Sequence, residues 1–258
     1  MYSRYDTRNL IAFITGATAG IGAAIARRLV AEGAKVVITG RREDRLQALK
    51  EELGEQACAL PLDVQDETSI RTAVESLPAA FSDINLLINN AGLAQGGELS
   101  QDAELENWRT MIDTNVTGLL QITHALLPGM TERNEGHIIN IGSVAGNYPA
   151  PRGNVYAATK AFANHFSLTL RADLGGTDLR VTSIEPGMVE TEFSKVRYKG
   201  DEEKARGVYE GLKVLSSEDI AEAVFWASTL PPHMNINRIE VMPTAQSFNS
   251  FALYPSED

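Results

Sequence analysis

The chain has 258 residues, 43% of them hydrophobic and 22% charged, and carries a formal net charge of −11. That composition is enough for one substantial core, and the acidic balance excludes nucleic acid or an anionic membrane surface as the main partner. A single cysteine, Cys58, excludes an intrachain disulfide and reads as a buried structural thiol, while His124, His137, His165 and His233 lack ligand spacing and leave no metal site.

The opening segment MYSRYDTRNL lacks the apolar stretch of a signal peptide, and no run approaches a membrane span, so a cytoplasmic enzyme or binding protein is expected. Asn9 to Thr15 is then a nearly continuous apolar run, the pattern of a strand buried on both faces of a parallel sheet. It leads into Gly16-Ala17-Thr18-Ala19-Gly20-Ile21-Gly22 and an alanine-rich helix from Ala23 to Glu32, closed by Gly33. Glycines at a strand-to-helix junction allow a tight turn and close backbone approach to a pyrophosphate, which the helix N-terminus attracts through its free amides and dipole. Their spacing is G-x-x-x-G-x-G, not the G-x-G-x-x-G of the common dinucleotide fingerprint.

A second strand, Lys35 to Thr39, ends in Gly40-Arg41-Arg42, where a βαβ nucleotide site meets the adenosine ribose. An NAD site places a carboxylate there to hold the 2′-hydroxyl, whereas two arginines suit the 2′-phosphate of NADP. The alternative is that Arg41 and Arg42 only solvate a loop before a helix from Arg42 to Leu53. A third strand, Ala57 to Leu62, brings Asp63 and Val64 to the edge where an adenine would lie, and Asp66 caps a helix running to Leu77. The fourth strand, Ile84 to Ile88, delivers Asn89-Asn90-Ala91-Gly92 to the same edge. One long helix is expected from Ala103 to about Met130, with Asp113-Thr114-Asn115 as polar residues inside an apolar pattern. Asn115 there is either a satisfied packing amide or an anchor for a water near the active site.

The fifth strand, His137 to Ile141, brings Gly142-Ser143 to that edge, ahead of the helix that begins Gly153-Asn154-Val155-Tyr156-Ala157-Ala158-Thr159-Lys160. Tyr156 and Lys160 are four residues apart and share a helix face. A phenol ionises at about 10, too high for proton transfer near neutrality, but an ammonium beside it favours the phenolate. That makes Tyr156 the candidate general acid/base, with Ser143 placed to bind the same carbonyl oxygen. By itself the Tyr–Lys pair also fits a solvated helix face.

The sixth strand, Leu179 to Glu185, is followed by Pro186-Gly187-Met188-Val189-Glu190-Thr191, a loop over the expected cofactor. Glu192 to Gly211 reads as a mobile helical lid, and a helix from Ser216 to Leu230 opens on a capping sequence before a seventh strand, Ile236 to Met242. The lid carries Lys195, Arg197 and Lys199. Arg197 has the planar fork that holds a carboxylate through two bonds, although three cations near Glu190, Glu192, Asp201 and Glu202 also fit a salt-bridged surface.

Taken together, T-G-A-T-A-G-I-G at Thr15 to Gly22, N-N-A-G at Asn89 to Gly92, Asn115, Ser143, Y-A-A-T-K at Tyr156 to Lys160 and P-G-M-V-E-T at Pro186 to Thr191 resemble the short-chain dehydrogenase/reductases over nearly the whole chain. The stretches G-N-V-Y-A-A-T-K, I-E-P-G-M-V-E-T-E-F-S-K-V-R-Y-K-G and L-P-P-H-M-N-I-N are similar to the branch of NADP-dependent 3-hydroxy acid dehydrogenases, also described as serine or L-allo-threonine dehydrogenases and malonic semialdehyde reductases. The chain departs around Gly187 to Glu192, where some members of that branch carry an extra glycine.

The resemblance implies an α/β fold: a single Rossmann-type doubly wound domain over residues 1–258, a seven-stranded parallel sheet with helices on both faces, and Thr191 to Gly211 as substrate lid. It implies a homotetramer and a catalytic set of Ser143, Tyr156, Lys160 and Asn115, with Lys160 also on the nicotinamide ribose and Asn115 supporting a water relay to Lys160. NADP would be held by Gly16, Ala17, Thr18, Ala19, Gly20, Ile21, Arg41, Arg42, Asp63, Val64, Asn90, Tyr156, Lys160, Pro186, Gly187, Val189 and Thr191. The substrate, a small hydroxy acid, would meet Ser143, Tyr156 and Arg197. The alternatives are a short-chain reductase of another small carbonyl or alcohol, or an NADP-binding sensor without turnover; sensors of this kind often lose the tyrosine or lysine, and both are present here.

Overall fold

The computed structural model describes residues 5–248; the remainder of the opening polar segment and of the expected domain lies outside the described residues. Seven strands form one parallel sheet: β1 (Ile11–Ile14), β2 (Lys35–Gly40), β3 (Ala57–Pro61), β4 (Leu86–Asn89), β5 (Gly136–Ile141), β6 (Leu179–Pro186) and β7 (Arg238–Val241), in the spatial order β3-β2-β1-β4-β5-β6-β7. Parallel neighbours need crossovers, and these are α1 (Gly20–Ala31), α2 (Glu43–Leu53), α3 (Glu67–Glu75), α4 (Leu105–Ile112), α5 (Gly118–Arg133), α6 (Asn154–Asp173), α7 (Phe193–Arg197), α8 (Glu202–Gly207) and α9 (Ser217–Ser228).

The apolar runs are explained by burial on both faces. Ala12 and Ile14 join a cluster with Ile25, Leu29, Ile38, Ile220 and Val224 under α1 and α9, while Phe13 between them joins Val37, Leu87, Ile122, Ile138 and Leu170 under α5 and α6. Cys58, on β3, is only half-buried at the margin of the second cluster, and burial raises its thiol above the ordinary value. The caps are where the sequence places them. Asp66 accepts from the Thr68 amide at 2.9 Å, and Ser216 with Asp219 forms a reciprocal capping box on α9.

Strand order reverses between β1 and β4, since the chain builds outward to β3 and then returns to the other side of β1. The crevice beyond the strand ends at such a switch is where doubly wound sheets bind ligands. Loops after β1, β2, β3, β4, β5 and β6 all border one cleft there, of about 670 Å³.

The single helix expected from Ala103 to Met130 is corrected by the structure. It breaks into α4 and α5 around a π-helical turn, Asp113–Thr117. The wider turn suits the buried amide of Asn115, which is held by groups outside its own helix, and π-turns recur at functional sites. Gly118 resumes the helix against the loop after β3, where an added Cβ would stand 2.8 Å from the Val64 side chain. The expected lid takes the form of two short helices, α7 and α8.

Candidate active site

The turn after β1 builds one end of the cleft. Gly16 has φ of +67° and an added Cβ would lie 2.9 Å from Ala91, so both backbone shape and the nearness of the N-N-A-G loop exclude a side chain. Ala19 precedes α1 without any side-chain cap, which leaves the first amides of α1 open toward the cleft. Asn90 braces this turn: its Nδ2 donates to the carbonyls of Thr15 and Gly16 at 2.9 and 3.2 Å. The amide expected on the cofactor thus lines the cleft but spends its hydrogens on the loop. Asp63 and Val64 border the same space, with Asp63 Oδ1 accepting from the Gln65 amide at 3.0 Å.

At the other end β5 and α6 bring the candidate catalytic side chains to the cleft. Ser143, Tyr156 and Lys160 line the cleft together with Pro186, Gly187, Val189 and Thr191, and the Ser143 hydroxyl donates to the Pro186 carbonyl at 3.4 Å. Ser143 is fixed on both sides: its hydroxyl accepts from the Ala145 amide at 3.1 Å, and its carbonyl accepts from Asn164 Nδ2 at 3.1 Å. Burial raises the Tyr156 phenol above its ordinary value, while the Ser143 hydroxyl, through a hydrogen bond, and then the Arg197 charge draw it back down. Lys160 makes no hydrogen bond to the phenol among the described residues. Its ammonium is buried and donates to the Ile141 carbonyl at 2.8 Å, because the lysine stem follows the helix face down to the end of β5. Burial draws Lys160 down to about 8. With one of three N–H groups used, two remain without a protein partner among the described residues.

Asn115 is a satisfied amide as well as a neighbour of the site. Its Oδ1 accepts from the Leu93 amide at 2.8 Å, and its Nδ2 donates to the Leu93 carbonyl at 2.8 Å and to Thr159 Oγ1 at 3.0 Å. It therefore ties the loop after β4 to the helix turn that carries Lys160.

The two arginines differ. Arg41 is exposed and has no hydrogen bond or ion pair among the described residues, whereas Arg42 donates from Nε and Nη2 to Thr18 Oγ1 at 3.1 and 2.8 Å. Both line the cleft. Among the three lid cations, Lys195 pairs with Glu202 at 3.1 Å and Lys199 with Glu104 at 2.8 Å. Arg197 makes no ion pair among the described residues, although the Glu98 carboxyl is near enough to feel its charge. Arg197 donates from Nε to the Gly96 carbonyl at 3.1 Å, lines the cleft, and is close enough to Tyr156 for its charge to be felt there.

Phe193, at the end of the loop that the resemblance puts on the cofactor, and two residues without a signature in the sequence also line the cleft. The Phe193 ring packs on that of Tyr156 with centroids 5.5 Å apart; Tyr209 Oη reaches the Val189 carbonyl at 3.1 Å; Gln246 Oε1 accepts from the Met188 amide at 2.8 Å. Only Gly187, against which Gln246 would collide with any Cβ, hinted at that last approach.

The residues fit a dinucleotide. A side-chain-free turn, an uncapped helix start, two arginines at the end of β2 and a buried lysine with spare donors lie along one crevice. The family profile described as short chain dehydrogenase matches residues 10–202, and the chain belongs to that family. It is 57% identical over 248 residues to the NADP-dependent 3-hydroxy acid dehydrogenase of Salmonella typhi, over 96% of this chain and 100% of that one. To the serine 3-dehydrogenase of Agrobacterium fabrum it is 50% identical over 241 residues, 93% of this chain and 96% of that one. The solved closed form of serine dehydrogenase complexed with NADP+ superposes with a TM-score of 0.93 at 54% identity, over 96% of this chain and 100% of that chain.

Proposed function

We propose that the protein transfers a hydride between NADP and a small 3-hydroxy acid of the serine, L-allo-threonine or 3-hydroxypropionate type. The observation that carries the reading is the meeting of Ser143, Tyr156 and Lys160 in the cleft that begins at the glycine turn, with Arg197 as the lid cation that makes no ion pair among the described residues. NADP, when bound, accepts or supplies the hydride. Gly16 to Ile21 and the start of α1 hold its pyrophosphate, Arg41 and Arg42 its 2′-phosphate, Asp63, Val64 and Asn90 border the adenosine side, and Pro186, Gly187, Val189 and Thr191 cover the nicotinamide side.

Ser143 holds the substrate oxygen by a hydrogen bond, and Tyr156 takes the hydroxyl proton in oxidation or returns it in reduction. Lys160, buried beneath, keeps a positive charge near the reacting oxygen and offers its two spare N–H groups to the nicotinamide ribose. Asn115 holds the Leu93 loop and Thr159 in place beside Lys160, and from there it would support a water relay to that lysine. Arg197 clamps the substrate carboxylate at the far end.

The reading further takes residues 1–258 as one cytoplasmic domain, Thr191 to Gly211 as its lid, and the assembly as a homotetramer. Exposed Leu120, which lines an apolar hollow of about 730 Å³ with Val74, Leu127, Phe166 and Leu170, and exposed Leu105 and Ile112 on α4 support association between copies.

Arg197→Met tests the substrate assignment. Activity on serine and 3-hydroxypropionate should fall about tenfold or more, as expected for loss of a charge-assisted pair, with little change on an uncharged secondary alcohol of similar size. Unchanged activity on the acids removes Arg197 from the site.

A further inference from the structure

The loop after β6 reaches back across the cleft to the arginines at the end of β2. Glu192 Oε2 accepts from Arg42 Nη1 at 3.1 Å and from Arg45 Nη1 at 2.7 Å. Arg42 is thus engaged on both sides, by Thr18 through Nε and Nη2 and by Glu192 through Nη1, whereas Arg41 is unoccupied among the described residues. The anion on Arg42 belongs to the segment that closes the site. Glu192 precedes α7 as its N-cap, and the next residue, Phe193, lies against the Tyr156 ring.

These side chains are each about two-fifths exposed, so the ion pairs are weak and open to exchange with an anion from solution. A 2′-phosphate brings up to two negative charges and three acceptor oxygens to the same guanidinium, against one carboxylate oxygen from Glu192. We propose that Glu192 is an internal anion that competes with the cofactor's 2′-phosphate for Arg42 and is thereby a determinant of cofactor affinity and specificity. The proposal rests on the reading of Arg41 and Arg42 as the 2′-phosphate site.

Two consequences follow from the geometry. Arg41 and Arg42 would hold the phosphate, with Glu192 left to Arg45. NAD has no phosphate to displace it, so the competition bears on NADP alone. The exchange also releases one of the two arginine anchors at the start of α7, next to the catalytic tyrosine.

The test is calorimetric titration of the full chain with 2′,5′-ADP, which carries the adenosine half and its 2′-phosphate, and with 5′-AMP, which lacks the phosphate. Glu192→Gln keeps the size and removes the charge; it should tighten 2′,5′-ADP roughly two- to fivefold and leave 5′-AMP unchanged. Arg45→Met should weaken 2′,5′-ADP, because Glu192 is then left to Arg42. Glu190→Gln alters an exposed acid of the same loop that makes no ion pair among the described residues, and should have a smaller effect than Glu192→Gln. Unchanged or weaker 2′,5′-ADP binding in Glu192→Gln, or equal tightening in Glu190→Gln, overturns the role of Glu192 alone. An unaltered preference for 2′,5′-ADP over 5′-AMP after Arg41→Ala with Arg42→Ala overturns the phosphate site and the proposal with it.

Discussion

Replacing Lys160 with methionine should separate the catalytic use of its charge from what that charge costs the fold. The ammonium is buried, and burial brings its titration from the ordinary 10.5 to about 8. A lysine lowered in this way binds its proton less tightly in the folded chain than in the unfolded one. Below about pH 8 both states are protonated and the full penalty of a buried ammonium is present; between about 8 and 10.5 the folded chain loses its proton first, and stability rises with pH. By linkage that gain is about 2 to 3 kcal/mol between pH 7 and pH 10. Methionine has nothing to titrate, so the stability of the wild type relative to Lys160→Met should climb by this amount over that range. Loss of the bond to the Ile141 carbonyl, about 1 to 3 kcal/mol, shifts the variant by a similar amount at every pH and leaves the slope intact. Urea unfolding of both proteins at fixed protomer concentration from pH 7 to pH 10 measures the difference. A difference that does not change with pH refutes the claim that Lys160 is buried as an ammonium.

Tyr156→Phe should lower turnover by about 10²- to 10⁴-fold, roughly 3 to 5 kcal/mol of barrier, with NADP binding largely intact; a variant that keeps a tenth of wild-type activity assigns the proton to another group. Arg41→Ala combined with Arg42→Ala should raise the Michaelis constant for NADP by about tenfold or more and change that for NAD far less, and equal losses for both would mean that neither arginine reads the phosphate.

Much of the fold was legible because its signals are local. The run Asn9 to Thr15 is nearly continuously apolar since Ala12 and Ile14 face one cluster and Phe13 the other, and Gly16 behind it sits where Ala91 leaves no space for a side chain. The Asp66 and Ser216 caps follow from the oxygen each residue carries. The π-turn at Asp113–Thr117 was not legible, because its cause is the backbone of Leu93 and the hydroxyl of Thr159, both distant in sequence.

The site shows the same division. Spacing places Tyr156 and Lys160 on one face of α6, but only the fold shows that the ammonium is bonded to the Ile141 carbonyl and that burial raises the phenol while Ser143 and Arg197 act against that rise. The planar fork of Arg197 set it apart from Lys195 and Lys199 in the sequence, and the fold adds that Glu202 and Glu104 pair with the two lysines. Phe193 and Gln246 reach the cleft through packing that no periodicity announces.

The central claim is NADP-linked hydride transfer on a small hydroxy acid, and absorbance at the reduced-nicotinamide band measures it directly with a panel of serine, L-allo-threonine, 3-hydroxypropionate and uncharged alcohols of similar size. NADP should be reduced with the acids, faster than with the alcohols and faster than NAD is. Tight binding of NADP with no reduction by any member of the panel would contradict the account and leave the protein a cofactor-binding sensor.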